Sequence, residues 1–457
     1  LREGSALDFV RFGISPEDVS TLVKENKFLD LKSLMRELDP ADLADLFEEV
    51  GPRERVILFR LLPKDKAIEV FELMEGRARE EMLSSFTDSE VAQVIGAMSD
   101  DERTELLEEL PAKTVKKLLT KLPPEERELA NLLLNYPENS AGRLMTTEFI
   151  DLKHNMTVER ALERIRRDAR KKETIYTCFV IDDRRKLLGT VRLEEIILAE
   201  PGTPVGKIME PNPVFVHTHA DREEVARIMS HYKLDSIPVV DSEERLVGII
   251  TLDDVLEIIE EETTEDIHKM AGMGTTTMGY FETPIWVFIK NRLPWLVGLL
   301  LFQSLSAMIV GHYEHALSLY PILAAFMATM IDAGGNAGGQ SSTLVIRSMA
   351  LGDLEVRHWW RVLLKELFVG ALMGLLLGFV LFLRGFMITG DPRINLSAGF
   401  ALFVIIVVAN VVGAMLPFMG RLARIDPAVM SSPLITTLAD LLGIGIYFYI
   451  ASSFLGL

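Results

Sequence analysis

The sequence predicts a multidomain membrane protein in three parts: an α-helical superhelix, a tandem α/β pair and a five-helix transmembrane domain. Three observations predict it. Short amphipathic units led by Pro, Ser or Asp recur about every twelve residues, a strand–helix pattern then appears twice, and five long apolar segments close the chain.

Residues 1–38 form an N-terminal segment without the repeat, which fills 39–140. Unit starts fall near Pro40, Pro52, Pro63, Gly76, Thr87, Ser99, Pro111 and Pro123. Proline suits a first helical turn because its missing N–H would be unpaired there. A unit such as Pro40 to Phe47 cannot bury its apolar face alone, so the units stack. Arrays of this kind are scaffolds or binding surfaces.

Residues 141–205 and 206–262 repeat one order of elements. The first copy has a helix opening at Thr157-Val158, a strand at Tyr176–Ile181, and Leu188–Val191 leading to Glu194-Glu195. The second has the helix after Asp221, the strand Ile237–Asp241, and Leu246–Leu252 leading to Asp253-Asp254. Cys178, the single cysteine, lies in an apolar strand. It reads as a core residue, which excludes disulfides and suits a reducing cytosol.

A connecting helix, 263–285, continues the acidic run Asp253–Asp266. Asp254, Glu257 and Glu261 share one face at helical spacing, and Glu265 extends it. Hydrated Mg2+ needs only one or two carboxylates per site, so the row could bridge such ions; a solvated helix face is the alternative.

The five spans of 286–457 fall at about 286–310, 317–347, 361–384, 396–420 and 433–455, each able to cross roughly 30 Å of hydrocarbon. Charge divides the chain at the same place. Residues 1–282 hold 38 Lys and Arg against 59 Asp and Glu, and 283–457 hold 10 against 8, giving −21 and +2 of the total −19. That acidity disfavours nucleic acid as a partner and attracts cations. Eight basic residues flank the spans on the side of the acidic half, with only Arg384 and Arg393 opposite. The Lys/Arg excess marks the cytoplasmic side, which places the soluble half in the cytosol and the C-terminus outside a plasma (inner) membrane. No signal-like segment is expected ahead of the soluble half.

Ionisable residues inside a span are functional candidates by default. Asp440 lies in the fifth span and Asp332 in the second, four residues before Asn336, within Asp332-Ala333-Gly334-Gly335-Asn336-Ala337-Gly338-Gly339. Those glycines permit either close helix packing or an unwound turn. Asn410, in the fourth span, is a pathway residue or an interhelical hydrogen bond. Lys365 and Glu366 read as rim residues, and His312 and His315 as exposed loop residues.

The repeated α/β copies resemble a tandem pair of CBS domains. With Thr264–Lys269, Gly334–Ser341, Asn410–Pro417 and Asp440, nearly the whole chain resembles the MgtE family of magnesium channels. The resemblance implies a homodimer whose pore is lined by both protomers, with Mg2+ as both substrate and regulatory ligand. It assigns Asp440 and the carbonyl of Thr436 to the pore; Asn336, Asn410 and the extra acid Asp332 are added as pore candidates from their own places in the spans. It also implies closure by intracellular Mg2+ at Asp101, Glu105, Asp221, Glu223, Asp254, Glu257, Glu265 and Asp266. Lys233 and Arg143 depart from the family pattern, Lys233 standing at an acidic position and Arg143 at a glycine. Thr177, Glu194, Glu195 and Leu234 replace the nucleotide-binding pattern, which leaves ATP binding doubtful.

Three functions follow: a passive Mg2+-gated Mg2+ channel, a Na+- or H+-coupled divalent-cation exchanger, and a membrane-tethered adenylate receptor. No phosphate-cradling loop is present, so the chain does not read as a pump or an enzyme. Intramembrane Asp332, Asn336, Asn410 and Asp440 argue against spans that only anchor.

Overall fold

The computed structural model describes residues 14–74, 76–276, 280–281, 283–430 and 432–456. It forms two compact units, Leu1–Ile259 and Glu260–Leu457.

The first unit opens with α1 (Pro16–Lys24), α2 (Phe28–Glu37), α3 (Pro40–Glu49), α4 (Pro52–Leu61), α5 (Lys64–Glu72), α6 (Gly76–Ser85), α7 (Asp88–Ile95), α8 (Asp100–Glu109), α9 (Ala112–Leu119) and α10 (Pro124–Leu134). The starts read from the sequence are all first residues (Pro40, Pro52, Gly76) or N-caps (Pro63, Thr87, Ser99, Pro111, Pro123) here. At Thr87 the cap is reciprocal, its hydroxyl accepting from Glu90 N and the Glu90 carboxylate from Thr87 N. Helices α1 and α2 extend the array toward the N-terminus and bury Val19, Leu31 and Met35 in the same core. The twelve-residue signal misses α2 because it starts behind Lys27 with no side-chain cap.

A second period runs through the array. Arg55, Arg79, Arg103 and Arg127 stand 24 residues apart, one for every two helices. Each turns back to a carbonyl at the end of the preceding helix or in the connection just after it: Arg55 Nε to Phe47 O (2.7 Å), Arg79 Nη1 to Glu72 O (3.5 Å), Arg103 Nε to Ile95 O (2.9 Å), and Arg127 Nη2 to Leu122 O (3.3 Å). Helix ends leave carbonyls unsatisfied, and a buried guanidinium supplies several donors at once.

The short helix α11 (Ala141–Leu144) leads into two sheets. The first has strands β1 (Asp151–Lys153), β2 (Thr177–Ile181), β3 (Leu187–Arg192) and β4 (Glu210–Pro211) in sequence order; the second has β5 (Val216–His217), β6 (Ser236–Val240) and β7 (Leu246–Thr251). In both, the first pair is parallel and the second antiparallel, with a bulge at the same point, Val180/Ile181 and Val239/Val240. Helices α12 (Val158–Asp168) and α13 (Leu193–Leu198) belong to the first copy, and α14 (Arg222–Tyr232) and α15 (Leu252–Met270) begin in the second. The copies join reciprocally through Leu187 N to Glu244 O (3.2 Å) and Leu246 N to Arg185 O (3.0 Å), above a shared core of Phe149, Phe179, Leu187, Leu246 and Ile249. Cys178 is fully buried, which pushes its thiol up to about 12.

Helix α15 runs unbroken from the second copy to Met270, short of the end expected for a connecting helix reaching 285. Gly272 follows at φ +69°, and a Cβ there would meet the Trp295 indole. Left-handed glycine is the usual way a helix stops. The second unit continues with α16 (Ile285–His312), α17 (Glu314–Leu319), α18 (Leu323–Ala350), α19 (Trp359–Ile388), α20 (Pro392–Leu422) and α21 (Ser432–Leu455). Four of these, α16, α19, α20 and α21, are long and apolar enough to cross a membrane. Helix α18 matches α16 in length at 28 residues; Asp332, Asn336, Gln340, Ser341 and Ser342 make it more polar.

The glycine-rich stretch of α18 stays helical throughout. Its glycines serve packing, since a Cβ on Gly338 would lie 3.0 Å from Ile435 Cγ2 and 3.1 Å from Ala409 O, and one on Gly413 would strike the Gly338 carbonyl. Gly378 and Gly399 bring α19 and α20 together in the same manner.

Candidate cation sites

In the first unit, helix α8 presents three consecutive acids, Asp100, Asp101 and Glu102, in its first turn, where the helix dipole favours negative charge. Asp100 is buried. It pairs with Arg103 at 3.4 Å and accepts from Thr147 Oγ1 (2.5 Å) and Thr147 N (3.3 Å) at the start of the first α/β copy. Asp101 Oδ1 and Glu102 Oε2 are buried without a hydrogen-bond partner. Arg79 Nη1 lies 3.7 Å from Glu102 Oε2.

Acids from other elements face the same region. Glu72 accepts from Ser99 N (3.0 Å), and Asp254 Oδ2 from Thr251 N (3.0 Å) and Thr251 Oγ1 (2.7 Å). Burial, then mutual repulsion, raises these carboxyls: Glu102 to about 9, Glu173 to about 8, and Glu148 and Asp254 to about 7. Asp101 and Glu72 are also raised, chiefly by burial. Asp101 repels Glu102, Glu148, Glu173 and Asp254 alike, so one carboxylate sits within range of the helical array, both α/β copies and α15. Glu105, exposed on the next turn, adds to the repulsion on Glu102. Glu148 and Glu173 were not among the acids singled out from sequence, because their approach to Asp101 is a tertiary contact with no local signature.

Among the described residues, no three Asp, Glu, His or Cys side chains lie close enough to chelate a metal ion directly. An arrangement of spaced carboxylates fits an ion that keeps its waters, as Mg2+ does.

The other regulatory candidates lie elsewhere. Asp221 caps α14 by accepting from Glu223 N at 2.9 Å. Lys233 closes the opposite end of that helix at φ +52°, its N–H bonded to Met229 O. The substituted acid position is thus an eleven-residue helix away from Asp221. Glu257 lies one turn beyond Asp254 on α15. Arg143 reaches from α11 to Glu108 of α8 (3.3 Å) and to Leu133 O of α10 (3.4 Å).

In the second unit, Lys269 Nζ lies 2.5 Å from Glu265 Oε1 and 2.7 Å from Asp426 Oδ2. Asp426 also caps the single turn Pro427–Val429 that leads to α21. Burial, then the neighbouring Asp426 charge, raises the Asp266 carboxyl.

Asp440 is 9% exposed in α21, and its Oδ1 has no hydrogen-bond partner. Gly335 of α18 packs opposite: a Cβ there would sit 2.8 Å from Thr436 Cγ2 and 3.6 Å from Asp440 Oδ1. Asp332 lies within electrostatic range of Asp440 and accepts from Asn336 Nδ2 at 3.2 Å. The structure therefore gathers Asp440, Thr436, Asp332 and Asn336. Asn410 points elsewhere, its Nδ2 toward Glu366 Oε2 at 3.4 Å. Glu366 is consequently part of an interhelical hydrogen-bond group rather than a wet rim residue. In the α/β pair, Glu195 is engaged with Arg192 N (3.0 Å) and Glu194 lies 3.6 Å from Arg192.

A family model described as MgtE, divalent cation transporter, matches residues 327–450, one for the MgtE intracellular N domain matches 38–139, and one for CBS domains matches 141–202 and 205–261. The chain is 42% identical over 337 residues to the magnesium transporter MgtE of Thermus thermophilus, covering 74% of each chain. It is 34% identical to the Enterococcus faecalis magnesium transporter MgtE, covering 71% of each. Among solved structures, the cytosolic domain of the Mg2+ channel MgtE in complex with ATP is 35% identical, with a TM-score of 0.51, over 53% of this chain and all of that one. The soluble part of a magnesium transporter gives 27% and 0.51, over 53% of this chain and 96% of that one.

Proposed function

The chain belongs to the MgtE family of magnesium transporters, and from that membership we propose that it is a homodimeric Mg2+ channel closed by intracellular Mg2+. It is a multi-pass membrane transporter of Mg2+ with a cytosolic N-terminal region, not an enzyme. In this reading the C-terminus lies outside, and Asp440 of each protomer holds hydrated Mg2+ on a shared pathway.

The observation that carries the pathway is the Asp440 carboxylate, buried in a membrane helix with one oxygen unpartnered. Such a group costs several kcal/mol unless it meets water, a partner or an ion. Asp332 and Asn336, exposed on α18 in the isolated protomer, support a water-filled route for the same reason.

Gating rests on the carboxylates around Asp101. Without a cation they are held together by protonation and by too few basic groups, and an ion among them replaces protons with a stronger bridge. Asp101, Glu105, Asp254 and Glu257 supply this regulation, joined by Glu148 and Glu173. Asp221 and Glu223 form a separate group, as do Glu265 and Asp266. Glu194 and Glu195, standing at positions of the nucleotide-binding pattern, leave ATP outside this reading.

Mg2+ flux into liposomes tests pathway and gate together. Uptake should fall as internal Mg2+ rises, and patch recording should resolve unitary currents. Flux that demands Na+ or H+ exchange and gives no unitary current would replace the channel with a coupled exchanger, in which Asp332 and Asp440 alternate.

A further inference from the structure

Glu366 lies outside the sites described above. It sits two turns into α19, and its Oε2 accepts from Ser341 Oγ of α18 at 2.8 Å and from Asn410 Nδ2 of α20 at 3.4 Å. Ser341 Oγ is also 3.1 Å from Asn410 O. Ser341 and Asn410 are each 3% exposed. Asn410 Oδ1 is buried without a hydrogen-bond partner, and among the described residues no basic side chain pairs with Glu366.

Three kinds of oxygen thus meet where three membrane helices converge, carboxylate, hydroxyl and main-chain carbonyl, with the Asn410 side-chain amide beside them. We propose that Glu366, Ser341 and Asn410 form a binding site for one sodium ion inside each protomer. Hard cations take oxygen ligands. A single carboxylate among neutral oxygens is matched by a single positive charge, whereas a divalent ion would leave excess charge in a medium that penalises it. A half-turn of the Asn410 amide exchanges Nδ2 for Oδ1 and gives up only the long 3.4 Å hydrogen bond to Glu366. The unpartnered oxygen then faces the ion. Bound there, sodium ties α18, α19 and α20 together on the side of α18 that bears Ser341.

The test is thermal unfolding of the purified full chain in detergent, free of Mg2+, at fixed pH and ionic strength, titrated with NaCl against KCl and choline chloride. The wild type should gain a saturable stabilisation specific to Na+, since a ligand that binds only the native state raises stability with its concentration. Glu366→Gln should lose it, and Asn410→Ala should weaken the apparent affinity at least about tenfold. Line broadening of 23Na resonances, abolished in Ser341→Ala, covers the case in which Glu366→Gln fails to fold. Superimposed Na+, K+ and choline curves would overturn the proposal. So would a Na+ response that survives in Glu366→Gln, or a stabilisation that follows pH and not Na+, which would assign the group to a proton.

Discussion

Binding of Mg2+ at the Asp101 region should expel protons, and the number is readable from the carboxyls there. With Glu102 near 9, Glu173 near 8, and Glu148 and Asp254 near 7, the ion-free protein holds at most about two protons on these four groups at pH 7.5. An unfolded chain, whose carboxyls titrate near 4, holds almost none. The native state therefore binds more protons than the unfolded state, and its stability falls as pH rises through about 7 to 9. A divalent ion replaces the protons, so its affinity should climb over the same window. The assay is calorimetric titration of the full chain with MgCl2 in buffers of different ionisation enthalpy. One to two protons should leave per protomer at pH 7.5, and almost none above about pH 10. Glu102→Gln should remove about one of them. An enthalpy independent of buffer at pH 7.5 would refute the reasoning, because the carboxylates would then already be ionised and the ion would bind elsewhere.

Other outcomes follow from particular contacts. Asp440→Ala should abolish Mg2+ flux into liposomes while the protein stays folded, and Asp332→Asn should lower flux or selectivity less severely; wild-type uptake in Asp440→Ala would end its pore role. Arg103→Met leaves Asp100 buried without its cation and two helix-end carbonyls without donors, and should cost about 3–5 kcal/mol in denaturant unfolding of the soluble unit. Gly413→Ala should prevent α18 and α20 from reaching their present approach, read as loss of monodisperse protein in detergent. Lys269→Gln removes the tie from α15 to Asp426 and should shift the internal Mg2+ concentration that halves the flux, with little change in flux at zero internal Mg2+.

The repeat was legible because helix starts are local events. Pro40, Pro52, Thr87 and Ser99 mark their own positions whatever packs around them. The 24-residue arginine period was equally present in the sequence. It escaped a search tuned to helix starts, since charged residues in an amphipathic repeat ordinarily face water. Asp440 was legible from depth alone, because a carboxylate in an apolar span is costly wherever it points. Asn410 shows the limit. Sequence could place it in a membrane helix, yet its direction toward Glu366 depends on how α19 and α20 close at Gly370, where a Cβ would lie 3.3 Å from Asn410 Cβ. The same holds for Glu148 and Glu173, whose importance arises only from burial beside Asp101.

The departures from family pattern bear on what an added cation has left to do. Arg143 stands where a glycine was expected, and its guanidinium ties α11 to Glu108 and to the end of α10. That places a fixed positive charge at the junction of the helical array and the α/β pair, against the same helix, α8, that carries Asp101 and Glu102. Lys269 supplies another between Glu265 and Asp426. Neither charge can leave when Mg2+ falls. Asp101 and Glu102, by contrast, bury oxygens that no hydrogen bond satisfies, and their neighbours Glu148, Glu173 and Asp254 are held partly protonated. The dependence on a dissociable ion should therefore concentrate where α8 meets Glu148, Glu173 and Asp254, and be weakest where Arg143 already bridges.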